Sequence, residues 1–153
     1  MPRRYSAEDT IATALSTELN SLANGSITAL SSEIDNTTAG KRWPYMEVEV
    51  VIATQGVARA AGAFCALYLV PEVDDTNYPH AATSTTGNEY MNKYYVDSFP
   101  LDAATTARRL VAKQIDLPPG NFKLALSNAT GQALANSGNT VKIRRYTDEY
   151  TAS

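Results

Sequence analysis

The feature that most constrains this chain is Ala61–Asn77, AGAFCALYLVPEVDDTN. From Ala63 to Val70 it carries no charge and almost no polarity, and it is apolar at both alternate positions. Phe64, Ala66, Tyr68 and Val70 lie on one face, and Cys65, Leu67 and Leu69 on the other. A run this short, ended by Pro71 and a D-D-T-N cluster, predicts a strand covered on both sides rather than a helix. The rest of the chain reads as strands arranged around it. At 153 residues there is room for one domain with a proper core.

Strand periodicity recurs downstream. Met46, Val48, Val50 and Ile52 alternate with Tyr45, Glu47 and Glu49, as on a sheet with one solvated face. Asn88–Pro100, Thr105–Leu117, the run holding Phe122, Leu124 and Leu126, and the run holding Val141 and Ile143 give further strands. Pro118-Pro119-Gly120 is a strong turn signal. Ser26–Asp35 reads as alternating, with Thr28, Leu30, Ser32 and Ile34 on one side. About seven short strands with turn-rich loops predict an all-β fold, an antiparallel β-sandwich of the jelly-roll or Greek-key kind.

The first 25 residues differ. Ile11, Leu15, Leu19 and Leu22 recur at helical spacing, with Ser6 and Asp9 as a capping pair and Asn24-Gly25 as a stop. This predicts an N-terminal amphipathic helix. The division expected is a helical arm at 1–25, a sandwich at 26–146 and a tail at 147–153. Two readings of the helix stay open: packing on its own sandwich, or docking on a neighbouring subunit.

Composition narrows the partners. The formal net charge is −3, which gives no general attraction to nucleic acid or an anionic membrane. No apolar run approaches the roughly 18 residues of a membrane span, and the first residues lack a signal-peptide core, so folding in the cytosol is expected. The one cysteine, Cys65, excludes an intrachain disulfide and reads as a buried hydrophobe.

Enzymatic readings find no support. The single histidine, His80, sits in the polar connection Glu72–Glu89, and no metal, phosphate-loop or nucleophile motif appears. Asp74, Asp75 and Asn77, with Glu72 nearby, carry oxygen ligands but not at calcium-loop spacing, and they are ordinary turn formers. No enzyme activity, cofactor or metal is expected. The basic doublets Arg108-Arg109 and Arg144-Arg145 lie on strands, so each puts at most one arginine on a given surface. They read as solvated faces or as partners for acidic groups on a neighbouring subunit. The nine tyrosines suit either a sugar site or an interface.

Three stretches, SLANGSITALSSEIDN (Ser21–Asn36), LYLVPEVDDTNY (Leu67–Tyr78) and LPPGNFKLALSNATGQALANSGNTVKI (Leu117–Ile143), resemble a group of small tailed-bacteriophage virion proteins. The resemblance covers most of 21–146 and rests on strand and turn segments, with no catalytic residue to carry over. It implies a structural role, with jelly-roll-like subunits decorating a capsid or sitting at the tail. The expected function is therefore a capsid cement or decoration subunit located in the virion, assembled in the host cytoplasm. Its expected partners are the major capsid protein or tail proteins and further copies of itself, with no nucleic acid and no membrane. The alternative is a tail-associated accessory or glycan-receptor-binding module. Candidate subunit contacts are Ile11, Leu15, Leu19, Leu22, Arg108, Arg109, Arg144 and Arg145.

Overall fold

In the computed structural model, residues 3–72, 74, 77–78 and 91–150 are described. His80, Asp75, most of the polar connection and the last three residues of the expected tail lie outside them. Among the described residues, eight strands form two antiparallel sheets: β1 (Arg3–Glu8), β2 (Ala12–Leu15), β3 (Tyr45–Ile52), β4 (Phe64–Pro71), β5 (Tyr95–Pro100), β6 (Arg108–Asp116), β7 (Phe122–Ala129) and β8 (Thr140–Tyr150). In the larger sheet β8 pairs with both β1 and β2 on one side and with β3 on the other, and β3 pairs with β6. The smaller sheet runs β5-β4-β7.

Alternation explains the core. Met46, Val48, Val50 and Ile52 of β3 are all fully buried, between Val141 and Ile143 of β8 and Ala112 and Ile115 of β6. They meet Cys65, Leu67 and Leu69 of β4 and Phe122, Leu124 and Leu126 of β7 in one apolar cluster, which joins the two sheets into a sandwich. The expected double burial of β4 holds from Cys65 to Val70, all of which are buried, but not at Phe64, which is 41% exposed at the start of the strand. Its second face, with Ala66, Tyr68 and Val70, packs under Ile27, Leu30 and Met91 in a separate cluster.

Segment 26–34 forms that cover, but its period is three rather than two. Thr28, Ser31 and Ile34 donate their backbone N–H groups to Leu126, Leu124 and Phe122 carbonyls at 3.0, 2.8 and 2.9 Å. Three residues therefore advance against two on β7. The N–H groups of Leu126 and Leu124 find the Thr28 and Ser31 hydroxyls instead of backbone, at 3.1 and 3.0 Å. A hydroxyl side chain that mimics a backbone acceptor makes this irregular pairing possible.

The expected N-terminal helix is absent and is corrected to strands. β1 and β2 pair with β8, and between β2 and Asn20 there is only a short 3-10 turn, Thr17–Leu19. The helical spacing arose by coincidence of three unlike elements. Leu15 points inward from a strand, Leu19 from the turn and Leu22 from the following loop. Pairing with β8 satisfies backbone groups that a short isolated helix of this sequence gains too little to hold on its own. Ser6 lies in β1, and Asp9 accepts from Arg145 instead of capping a helix. Since β8 continues past 146 to Tyr150 beside β1, the expected arm, domain and tail all contribute to one sheet.

Candidate functional site

The outward face of the larger sheet carries two of the exposed large apolar side chains among the described residues, Ile11 and Val111, set amid charged groups. The same alternation that buries Val48 and Val50 turns Glu47 and Glu49 outward, opposite Arg144 and Lys142 on β8. On the other flank Glu49 stands opposite Val111 of β6. Charges alternate strand by strand. Arg144 donates to Glu47 Oε2 at 2.8 Å and to Glu8 Oε2 at 3.2 Å, and Arg109 donates to Glu49 Oε2 at 2.8 Å. The bond to Glu47, with the Glu8 charge behind it, raises the Arg144 pKa further above its ordinary value. Exposed pairs of this kind are worth only about 0.5 kcal/mol each, so they orient side chains more than they stabilise the fold.

Two apolar side chains stand among these charges. Ile11, on the loop between β1 and β2, is 67% exposed, and Val111 is 53% exposed. With Glu47, Glu49, Arg109 and Arg144 they line a groove of about 310 Å³. Ile11, Arg109 and Arg144 thus converge from three separate parts of the sequence.

The other five expected contact residues go elsewhere. Leu15 and Leu19 are 1% and 0% exposed in the domain's own core, and Leu22 is half-buried against it. Arg108 faces away from Arg109 and binds Asp102. Arg145 turns to the opposite side from Arg144, where it holds Asp9 and the Asp35 carbonyl. Strand alternation separates both doublets, as their spacing requires.

One constellation has no signal in the sequence. The Arg59 side chain is fully buried in the loop before β4. It donates to the Asp102 carbonyl at 3.0 Å, the Asp102 carboxylate at 2.8 Å and the Thr106 carbonyl at 3.0 Å. Asp102 receives Arg108 as well, and bonds from Arg108 and then Arg59 hold its carboxyl down at about 2. This network fixes the β5–β6 connection. Nothing distinguishes Arg59 in the local pattern V-A-R-A; a buried guanidinium is visible only once two loops are brought together.

Cys65 is buried, which pushes its thiol up to about 12. Burial, and then the bond to Glu33, raise the Tyr78 hydroxyl above its usual range, while Lys123 lies over the ring at 4.3 Å. Asp74 spends both carboxylate oxygens on Asn77, at 2.7 and 2.9 Å, as a turn former does. Among the described residues no group of three or more His, Cys, Asp or Glu gathers to hold a metal ion, and no helix is long and apolar enough to cross a membrane. Searched against models of known protein families and against characterised proteins, the chain matches none.

Proposed function

We propose that this chain is a virion structural subunit of a tailed bacteriophage, of the capsid cement or decoration kind, seated on neighbouring capsid proteins through the outward face of its larger sheet. The observation that carries the reading is the convergence of exposed Ile11 and Val111 with a charge-balanced ladder on a rigid sheet. Apolar groups ringed by ordered charges suit a protein surface, where the apolar centre supplies affinity and the rim sets register.

The strand order supports a jelly-roll form of the sandwich. With segment 26–34 counted as a strand and β1 with β2 as one, the first run pairs with the last and the second with the seventh. The third run pairs with the sixth and the fourth with the fifth. This nested pairing is that of a jelly roll. Such a frame agrees with the implied resemblance to phage virion proteins and gives a cement subunit the stiffness to bridge neighbours.

Adding Ile11→Asp/Val111→Asp protein to particles stripped of the native subunit tests the reading. Both side chains are exposed, so the melting temperature should stay within a few degrees of wild type while occupancy on the shell drops about tenfold or more. Undiminished occupancy would remove this face as the attachment site. Antibody labelling at the tail tip instead of the shell would replace the cement role with a tail-associated one.

A further inference from the structure

Regular and irregular strand pairing are not scattered evenly through the sandwich. The inner ladders run unbroken: β3 against β8 from Tyr45↔Tyr146 to Val51↔Thr140, and β4 against β7 from Phe64↔Ala129 to Pro71↔Phe122. Among the described residues every edge strand is interrupted. On β1, Ser6 is extra between Tyr5↔Asp148 and Ala7↔Thr147. On β2, Ala14 is extra between Thr13↔Lys142 and Leu15↔Val141. On β6, Lys113 and Gln114 together stand against Glu47, and on β5 Val96 is extra between Leu67↔Asp97 and Tyr68↔Tyr95. Segment 26–34, the remaining edge, advances three residues for every two on β7.

In each of these ladders the inner strand could equally have held the extra residue, and in none does it. We infer that the open edges of the sandwich are closed to strand addition, so that the chain meets its partners, further copies included, through the faces of its sheets. An open edge is a row of N–H and C=O groups that fits any extended chain, whatever its side chains. A bulge breaks the even spacing of that row and bends the strand, so a straight partner strand cannot keep register along it.

β6 is the clearest case. Gln114 takes φ 54°, a left-handed conformation unfavourable for a residue with a Cβ, and the exposed Lys113 beside it puts a charge on the same stretch. With one residue fewer, β6 would still alternate plainly from buried Ala112 to buried Ile115. The core therefore does not require the insertion, and its effect falls on the edge. The inference holds whichever face the chain uses and whether or not it joins a virion.

Deleting Gln114 straightens β6 and deleting Ser6 straightens β1, and each removes a residue surplus to its ladder. Sedimentation of the purified full chain across a wide concentration range gives the association state, and amide hydrogen exchange at each concentration locates the contact. Either deletion should tighten self-association about tenfold or more, with new exchange protection along the straightened strand. Gln114→Gly keeps the bulge and accepts the positive φ without strain. In this variant and in wild type, β1 and β6 amides should exchange equally fast at every concentration, whatever contacts the faces make. Deletion variants that melt cooperatively yet associate no more than wild type would overturn the inference. The wild-type arm decides even where a deletion does not fold: an excess of a peptide with the β8 sequence, Thr140–Tyr150, should leave both edges unprotected. Protection of β1 or β6 in wild type, by that peptide or by rising protein concentration, would equally overturn it.

Discussion

At the scale of single residues, the most consequential side chain is one without a sequence signature. Arg59 is enclosed, and its charge is answered by Asp102, which Arg108 also grips. Asp102 is itself half-exposed, so its carboxylate remains open to protons from solvent. Its folded-state pKa of about 2 lies below the ordinary value near about 3.9. A depressed carboxyl stabilises the fold fully above the ordinary value, and that stability is lost as pH falls through the folded-state value. Asp102→Asn should therefore cost most stability at neutral pH. The gap from wild type should close as pH falls from about 4 towards 2. Urea midpoints measured across that window check it; a gap that stays constant would mean that the carboxylate charge is not what Arg59 and Arg108 use. Glu47 and Glu49, by contrast, were legible as outward residues from alternation alone. That each would stand beside an arginine was not, because cross-strand register is set by distant segments.

At the scale of elements, the N-terminal segment shows how a spacing rule misleads. Of the four apolar residues at helical intervals, Leu15, Leu19 and Leu22 reach the same core from a strand, a 3-10 turn and a loop, while Ile11 stays exposed. With Thr10, Thr13 and Thr17 interspersed, helix propensity is too weak to oppose the open edge of β8. Leu19 is wholly enclosed, so Leu19→Ala should lower stability by about 3 kcal/mol, read as a shift in the denaturation midpoint. Removal of residues 1–24 takes β1, β2 and Leu19 together and bares both the core and the β8 edge. The truncated chain should aggregate on expression instead of yielding a soluble sandwich, as light scattering of the refolded product would show. A cooperative melt from soluble truncated protein would mean that the core closes without these strands. Segment 26–34 shows the converse case. Its alternation suggested an ordinary strand, but the Thr28 and Ser31 hydroxyls replace backbone acceptors and stretch the repeat to three.

At the scale of the whole molecule, both sheets share one apolar cluster, and the two ends of the chain contribute adjacent strands. Unfolding should therefore be a single transition, with coincident midpoints by circular dichroism and tyrosine fluorescence. Native-state hydrogen exchange should be slowest in β3, β4, β7 and β8, which have pairing segments on both sides, and fastest in β1, β5 and β6 at the sheet edges. Protection in β1 equal to that in β4 would contradict this ranking. The sequence by itself determined the all-β class, the burial of both faces of Cys65–Val70 and the inward set of β3. Those are consequences of a two-residue side-chain period, which is a local property of the backbone. Only the tertiary structure decided that strands β1 and β2 stand where a helix was expected, that Ile11, Arg109 and Arg144 meet in one groove, and that Arg59 is buried. Each of these depends on which backbone edges were left open and which loops were brought together, and such long-range pairings leave no periodic trace along the chain.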